Sequence, residues 1–267
     1  MTDHQAEIGV FGGSGFYSLI EGGEEIAIHT PYGAPSARVM VGDMGGRRVA
    51  FMPRHGAHHE YPPHTINYRA NIWAMKQLGV NWIIGPCASG SLQPHVKVGD
   101  FVVCDQFVDR TSARRDTFYD GPTVTHVSAA DPYSPVLRRL LVEGCRAIDV
   151  PVHDGGTVVV IQGPRFSTKA ESRWFTREGW EAINMTAYPE GWLAREVEIA
   201  YANVSLITDY DAGLEGNPEV EAVRVTDVMA VLNANNHRMV QLLGHVIPRI
   251  PTDPDPHCSS ALSGAQL

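Results

Sequence analysis

Short, continuous apolar runs that alternate with helical patterns restrict the fold of this chain more than any other feature. The runs have the length of single strands and span Glu7–Phe11, Val49–Met52, Trp82–Ile84, Phe101–Cys104, Thr157–Ile161 and Ala202–Ile207. Strands that are buried on both faces have this composition, whereas a strand with one solvated face alternates apolar and polar residues. The pattern therefore predicts an α/β fold with a sheet covered on both sides.

Helical periodicity fills the segments between these runs. The predicted helices span Thr65–Leu78, Val136–Ile148, Lys169–Arg177, Pro189–Ala200 and Thr226–Leu243. Pro189 and Glu190 suit the start of a helix, because proline fits the first turn and an acid there complements the helix dipole. Since no repeat or flexible linker divides residues 1–250, we assign them to one domain. Prolines and small polar residues predict a poorly ordered tail over 251–267.

Composition argues against several functional classes. The 267 residues are 43% hydrophobic and 19% charged, which is typical of a globular protein. No apolar run approaches the ~18 residues of a membrane span, and the first residues lack the basic stretch of a signal peptide, so we expect a cytoplasmic protein. Cys87, Cys104, Cys145 and Cys258 are widely spaced, which favours free thiols. A net charge of -9 argues against binding to nucleic acid.

Glycines follow the first predicted strand as Gly12-Gly13-Ser14-Gly15. Glycine lets the backbone approach an anion closely, and the Ser14 hydroxyl adds a donor, so this loop is compatible with phosphate binding. The G-x-G-x-x-G spacing of a dinucleotide-binding fold is absent. A tight turn without any ligand explains the same residues equally well.

A second loop, Pro53 to His64, contains four histidines. The planar guanidinium of Arg54 can donate to two phosphate oxygens, and His55 can add a further N–H. A histidine cluster can also hold a metal ion, although no H-E-x-x-H helix is present. Phosphate binding, a metal site and a packed structural loop are therefore all compatible with this motif.

Two further segments follow predicted strands. Gly85–Leu92 is rich in small residues and predicts a turn that presents backbone N–H groups, and Asn184–Thr186 places a hydroxyl beside Met185. Each segment alone is more often structural. Four strand ends that all carry ligand-compatible groups favour one shared site, because open α/β sheets bind ligands at the carboxyl ends of their strands.

The last apolar run ends in Asp209-Tyr210-Asp211. In an extended strand, side chains at i and i+2 face the same way about 7 Å apart, so both carboxylates could reach one ligand. An aspartate that caps a turn beside a solvated aspartate is the alternative explanation.

Several motifs, in this order along the chain, resemble the trimeric purine nucleoside phosphorylase family, and within it the S-methyl-5′-thioadenosine phosphorylase group. They are Gly12–Gly15, Pro53–Gly56, Asn67–Ala74, Asp105–Thr111, Gly163–Thr168, Asn184–Thr186, Pro189–Glu190 and Thr208–Asp211. The resemblance covers about Ile8 to Ile250. It implies a mixed, partly barrel-like sheet, a homotrimer, and phosphate as co-substrate with no metal or other cofactor.

The resemblance also implies residue roles in binding phosphate. The positions concerned are Ser14, Arg54, His55, Cys87, Ala88 and Thr186. Cys87 stands where the family usually has threonine; a thiol donates only weakly, so we expect the backbone N–H of Ala88 to matter more. His59 falls where the family has a histidine near the phosphate. His126 resembles the residue that a neighbouring subunit lends to the 5′ end of the ribose pocket, so a lone monomer would have an incomplete site.

The positions implied for the nucleoside are Phe166, Ser167, Met185, Asp209, Asp211, Val225, Val228 and Met229. Met185 would contact the sugar, and Phe166 and Ser167 would border the base. In 6-oxopurine members of the family, asparagine replaces Asp209 and glutamate replaces Ser167, so this chain is expected to take a 6-aminopurine. Val225, Val228 and Met229 align with the methylthio pocket; core packing of an amphipathic helix is the alternative for them.

The implied reaction is phosphorolysis of 5′-methylthioadenosine to adenine and 5-methylthioribose 1-phosphate, a pentosyl transfer. Phosphate is already an anionic nucleophile, so no strong general base is required. Asp209 would share a proton with purine N7, which requires either a raised pKa or a proton taken from solvent when substrate binds, and Asp211 would accept from the exocyclic amine. A broader phosphorylase acting on adenosine or inosine, a hydrolytic nucleosidase and a non-enzymatic nucleotide-binding module are the alternatives.

Overall fold

The computed structural model describes residues 6–212, 214 and 225–266, without the side chains of 225–229. In these ranges, eleven strands form one mixed sheet. The strands are β1 (Ile8–Gly12), β2 (Glu24–Ile26), β3 (Val39–Met44), β4 (Arg47–Pro53), β5 (Trp82–Ser91), β6 (Phe101–Val103), β7 (Gln106–Arg110), β8 (Val152–Asp154), β9 (Thr157–Ile161), β10 (Ala182–Asn184) and β11 (Ala200–Asp209). The helices are α1 (Tyr68–Gln77), α2 (Pro135–Ala147), α3 (Lys169–Arg177), α4 (Ala187–Glu196), α5 (Val225–Val246) and α6 (Pro256–Ser259), with a 3-10 turn at Ile247–Arg249.

Strand β5 is the centre of the sheet. It pairs in parallel with β11 along most of its length, from Trp82 to Gly90. On its other side it pairs with β1 only as far as Ile84, and with the antiparallel strand β10 only from Gly90 onward. The stretch between these two partners has a neighbouring strand on one side only. The sheet therefore opens beside β5, at residues 85–89.

The predicted α/β class with a mixed sheet is confirmed, and each of the six apolar runs lies in a strand. The five predicted helices are also present, and two of the predictions, Lys169–Arg177 and the strand Thr157–Ile161, have the observed bounds. Tyr188 has extended backbone angles, φ −113° and ψ 136°, so regular helix in α4 begins at Pro189 as predicted. None of the described helices has the length and apolar character needed to cross a membrane.

Burial on both faces of the sheet is also confirmed. Successive residues of β5 pack into different cores, since Trp82 and Ile84 join one cluster and Ile83 joins the other. Along β11, Tyr201 and Ile207 belong to the same cluster as Ile83. This alternation shows why the central strands lack the polar residues of a one-sided sheet.

Two expectations about strands were wrong. The segment after Ile84 is not a turn: it continues β5 to Ser91, because its small residues pair with β11, for example Cys87 with Ser205. Four strands were missed, β2, β3, β7 and β8, and β10 was expected only as a strand of unstated bounds that precedes Asn184–Thr186. β2 and β8 are three residues long, and β7 is half-buried to exposed, so neither length nor apolar character signals a strand there.

The segment 251–266, predicted to be poorly ordered, packs against the body of the protein in this structure. Cys258 is 2% exposed and belongs to the core cluster that contains Trp82. The Ser134 hydroxyl, which caps α2, donates to Asp255 Oδ2 at 2.5 Å. These contacts fix α6 against the start of α2.

Beyond α6, the same segment reaches the loop that carries His126. Thr125 and Gln266 form an isolated β-bridge, and the backbone N–H of His126 donates to Ala265 O at 2.8 Å. The His257 imidazole lies 3.0 Å from Asp131 O. The C-terminal segment thus holds a loop more than a hundred residues away in sequence.

We predict that Ser134→Ala lowers the free energy of unfolding by about 2 kcal/mol, because it removes a helix cap and leaves the buried Asp255 carboxylate without that donor. Urea unfolding measures the change. The control is Ser259→Ala, the same substitution at an exposed position of α6, which should change stability by less than about 0.5 kcal/mol. Equal midpoints for the two variants would contradict the prediction.

Candidate active site

A cavity of about 510 Å³ lies beside the opening in the sheet, at the carboxyl ends of β1, β4, β10 and β11. This volume is in the range of small-molecule sites. The predicted residues that line it are Ser14, Arg54, His55, His59, Cys87, Ala88, Phe166, Met185, Thr186, Asp209 and Asp211. The structure therefore brings together groups from four strand ends. Three of them follow predicted motifs, whereas the fourth is the end of β11, because the Gly85–Leu92 segment continues β5.

Arg54 is fully buried and forms an ion pair with Glu190, which is also fully buried. Arg54 Nε donates to Glu190 Oε2 at 2.8 Å, and Nη2 donates to Oε1 at 2.7 Å. Nη1 donates to Pro86 O at 2.7 Å, and the Tyr201 hydroxyl donates to Glu190 Oε1 at 2.8 Å. Burial alone would lower the pKa of Arg54, but Glu190 and other neighbours raise it, so the guanidinium stays charged.

This pair changes the expected role of Arg54. Arginine has five N–H bonds, and three of those of Arg54 are donated to protein atoms. One N–H on Nη1 and one on Nη2 remain for a phosphate. The edge of the guanidinium formed by Nε and Nη2 binds Glu190 and holds the side chain in place, so it is not available to an anion.

His55 has a defined tautomer. Its Nδ1 lies 2.8 Å from Tyr61 O, and since a carbonyl can only accept, Nδ1 carries the hydrogen. Burial, together with the neighbouring Arg54 and His59, lowers the pKa of His55 to about 4, although the bond to Tyr61 opposes this change. The ring of His59 stacks on that of His55 with centroids 4.4 Å apart. His55 is thus neutral at pH 7, with Nε2 as an acceptor, so the N–H that the sequence motif offered to a phosphate is bonded to Tyr61 O instead.

Cys87 belongs to the part of β5 that borders the opening in the sheet, and it contacts Thr186. Its Sγ is 3.3 Å from Thr186 Oγ1 and accepts from Asn203 Nδ2 at 3.3 Å. Burial raises the pKa of the Cys87 thiol, which therefore stays protonated. The Asn184 side chain accepts from the backbone N–H groups of Thr186 and Ala187, and so orders the start of α4.

Asp209 and Asp211 reach the cavity by a different geometry from the one expected. Strand β11 ends at Asp209, and Asp211 lies in a turn with φ 47°, in the left-handed region that aspartate tolerates. The backbone N–H of Asp211 donates to Asp209 Oδ1 at 2.8 Å. The two carboxylates are therefore neighbours through a side-chain turn, and not through extended i and i+2 positions. Asp209 and Asp211 thus form a turn and also line the cavity.

Burial raises the pKa of both carboxyls. For Asp209, hydrogen bonds from Thr208 and from the backbone of Asp211 partly oppose the rise. For Asp211, the Ser172 and Ser167 hydroxyls oppose it. Asp211 Oδ2 and Ser167 Oγ are nevertheless buried without a hydrogen-bond partner among the described residues. A buried acceptor without a donor is costly, so a ligand that donates there would be favoured.

Some predicted residues lie away from this cavity. Ser167 does not line it, although its hydroxyl acts on Asp211. His126 is exposed and outside the cavity of its own chain. Val225, Val228 and Met229 lie in the first turns of α5, and their side chains lie outside the described part of the structure.

Sequence reasoning missed four residues of the site. From the sequence, Glu190 is predicted only as an acid in the first turn of a helix. The Pro189–Glu190 motif that contains it is the available signal that it belongs to the site. Tyr201 is in an apolar run and gave no signal. Tyr17 lines the cavity and its hydroxyl lies 3.0 Å from His59 Nδ1. Thr208 also lines the cavity, within a motif where only the aspartates were assigned.

A metal site was one explanation of the histidine loop. Within residues 6–212, 214 and 225–266, no group of three or more His, Cys, Asp or Glu side chains is arranged to hold a metal ion. His55 and His59 instead stack on each other.

The fold and the cavity together define an α/β protein with a small-molecule-sized site that combines a buried guanidinium, hydroxyl groups and two carboxylates. Comparison with known protein families identifies the family of this chain. The Phosphorylase superfamily matches residues 7–248, and the chain belongs to this family. A purine nucleoside phosphorylase of Streptomyces coelicolor is 46% identical, over 97% of this chain and 95% of the relative. An S-methyl-5′-thioadenosine phosphorylase of Mycolicibacterium smegmatis is 49% identical, over 97% of each.

Solved structures are similar over the whole fold. The methylthioadenosine phosphorylase of Schistosoma mansoni, in complex with adenine, has a TM-score of 0.91 and 32% identity, covering 98% of this chain and 99% of that one. A methylthioadenosine phosphorylase from an antarctic soil metagenomic library has a TM-score of 0.91 and 37% identity, covering 99% and 93%. The mixed α/β fold is thus that of nucleoside phosphorylases.

We predict that Glu190→Ala lowers the free energy of unfolding by about 3–5 kcal/mol, because it leaves the buried Arg54 cation without its partner. Chemical unfolding measures the change. Glu143→Ala, the same substitution at an exposed position of α2, is the control and should cost less than about 0.5 kcal/mol. A small effect at position 190 would show that water or another acceptor reaches Arg54.

Acid should destabilise the protein through His55. Its folded-state pKa of about 4 lies below the ordinary value of 6.5, so the unfolded chain binds a proton first as pH falls. Stability that is present above pH 6.5 is therefore lost between pH 6.5 and 4, by about 3 kcal/mol. Unfolding in phosphate-free buffer should show that His55→Asn removes most of this loss. The variant of the exposed His29, His29→Asn, should retain it.

Proposed function

We propose that this protein is a pentosyltransferase that cleaves 5′-methylthioadenosine with phosphate, releasing adenine and 5-methylthioribose 1-phosphate. Membership of the Phosphorylase superfamily supports the reaction class. The cavity supports it further, because Arg54 and Thr186 lie in the same cavity as the two aspartates. A nucleoside bound there would have its C1′–N9 glycosidic bond between the anion and the two aspartates.

The observation that carries the choice of base is the buried Asp211 Oδ2, an acceptor without a donor among the described residues. A 6-aminopurine supplies the missing donor through its exocyclic amine. A 6-oxopurine would place a carbonyl there and leave two acceptors facing each other, which costs binding energy. Asp211 thus favours adenine over hypoxanthine as the departing base.

In the proposed mechanism, phosphate attacks C1′ while the base departs. Arg54, with its two remaining N–H bonds, and Thr186 hold the anion, together with Ser14 and the backbone at Ala88. Negative charge develops on the purine as the C1′–N9 bond breaks, and a protonated Asp209 donates at N7. Burial of Asp209, which raises its pKa, favours the protonated form that this step requires.

The 5′ substituent is assigned from the sequence and from relatives. Val225, Val228 and Met229 would form an apolar wall for a methylthio group, and Met185 would contact the sugar. S-methyl-5′-thioadenosine phosphorylases of Pyrococcus furiosus and M. smegmatis are 47% and 49% identical to this chain. The S. coelicolor relative carries the broader name purine nucleoside phosphorylase, so activity on adenosine or inosine is the second candidate.

We also infer a homotrimer in which His126 completes the neighbouring site. His126 is exposed and lies outside the cavity of its own chain, which fits a role toward another subunit. The four cysteines are buried free thiols, which fits the reducing cytoplasm. Phosphate is the co-substrate, and no other cofactor is invoked.

The test is a phosphate-dependence assay with 5′-methylthioadenosine, adenosine and inosine at equal concentration. We expect cleavage to require phosphate, to yield the sugar 1-phosphate and to be fastest with 5′-methylthioadenosine. Asp209→Ala should lower kcat by about a hundredfold or more, in line with the loss of a general acid. Gel filtration of the same sample measures whether three chains assemble.

Each alternative has its own outcome. Free sugar without phosphate dependence would indicate a hydrolytic nucleosidase, and fastest cleavage of inosine would overturn the assignment of the base. Nucleotide binding without turnover would indicate a binding module. Full activity of Asp209→Ala would require a different route for the proton.

A further inference from the structure

The environment of Asp209 determines which of its oxygens can carry a proton. Oδ1 accepts the backbone N–H of Asp211 at 2.8 Å. The same oxygen lies against the backbone of Gly90, where an added Cβ would be only 2.9 Å from it. Oδ1 is therefore occupied as an acceptor. Oδ2 is the oxygen that remains for the proton.

Thr208 is the protein group next to Oδ2. Its Oγ1 lies 2.7 Å from Asp209 Oδ2 and 3.3 Å from Ser89 O. Adjacent residues of a regular strand project to opposite faces. Here, however, the pairing of β11 with β5 shifts register between Ile207 and Asp209. A bulge of this kind turns a side chain, and it brings Thr208 and Asp209 into contact.

A single hydroxyl hydrogen gives Thr208 two arrangements. When Asp209 is ionised, Thr208 donates to Oδ2. When Asp209 is protonated, Oδ2–H donates to Thr208 Oγ1, and the Thr208 hydroxyl donates to Ser89 O instead. In both arrangements Asp209 Oδ2 and the Thr208 hydroxyl remain hydrogen-bonded to each other, since a hydroxyl donates once and accepts through its lone pairs.

We propose that Thr208 is a positioning residue that holds the proton of Asp209 before catalysis and stabilises the carboxylate that forms when the proton leaves. This inference rests on the proposed phosphorolysis. In the step, the Oδ2–H bond breaks and an N7–H bond forms. The electron pair of the C1′–N9 bond passes to the purine, and a phosphate oxygen bonds to C1′. The Thr208 hydroxyl rotates from Ser89 O to Oδ2, and a proton from solvent restores Asp209.

The charged groups around Asp209 favour the protonated form of its carboxyl. Asp211, on the same segment, raises the pKa of Asp209, and Glu171 of α3 raises that of Asp211. Strand β5 presents the uncharged residues Ser89 and Gly90 at this point. Negative neighbours favour the protonated carboxyl, and Thr208 supplies the opposing hydrogen bond once charge forms.

The experiment compares Thr208→Val, which has nearly the shape of threonine, with Thr208→Ser, which keeps the hydroxyl. For phosphorolysis of 5′-methylthioadenosine, we expect Thr208→Val to lower kcat by about 10- to 100-fold with little change in KM. The hydrogen bond from Thr208 lowers the pKa of Asp209, so its loss should move the basic limb of the pH–rate profile to higher pH. Thr208→Ser should remain close to the wild type in both respects.

A second substrate separates the proposed role from a structural one. In 2-fluoro-5′-methylthioadenosine, the fluorine makes the departing purine a weaker base, which depends less on a proton at N7. The kcat loss caused by Thr208→Val should therefore be smaller with this nucleoside than with the parent. Circular dichroism and the unfolding midpoint establish that the variant is folded.

Several results would overturn the role of Thr208. They are unchanged kcat and pH profile in Thr208→Val, equal losses for both nucleosides without a shift of the basic limb, or equal impairment of the serine and valine variants. A wild-type protein without phosphate-dependent cleavage would overturn the proposed function and this inference together. An active wild type with an unaffected valine variant would overturn the inference alone.

Discussion

A buried ion pair between Arg54 and Glu190 connects the elements from which the cavity is built. Arg54 follows β4, Glu190 lies in α4, and their further partners Pro86 and Tyr201 belong to β5 and β11. Removing two charges from water is expensive, and such a pair persists only when its hydrogen bonds are well satisfied. Here three N–H bonds of the guanidinium and both carboxylate oxygens have partners. The side of the cavity that contains Arg54 therefore has a fixed geometry before any ligand binds.

The opening in the sheet supplies the second constraint. Because β1 leaves β5 after Ile84 and β10 joins it only at Gly90, the strand has a free edge at the residues between them. Cys87 and Ala88 lie in this interval and line the cavity. On the other side of β5, β11 runs alongside and delivers Asp209 at its end. Asp209 therefore pairs with Gly90 of β5, only two residues along the strand from Ala88 and three from Cys87.

The sequence predicted the fold class, the apolar parts of the central strands and eleven of the cavity residues, because these depend on apolar runs and on glycines, histidines and acids at strand ends. It did not predict Glu190 as the partner of Arg54, since a contact across 136 positions leaves no local pattern. It also placed the two aspartates on an extended strand, because a bulge and a residue with φ 47° cannot be read from Asp-x-Asp. Short edge strands such as β2 and β8 gave too little apolar signal to be recognised.

The position of the C-terminal segment has a practical consequence for protein production. Gln266 bridges Thr125, next to the exposed His126. An affinity tag or fluorescent protein fused after residue 267 would begin one residue from that bridge, beside the loop proposed to reach a neighbouring subunit. A chain without a fusion at this position is therefore the better choice when assembly is measured.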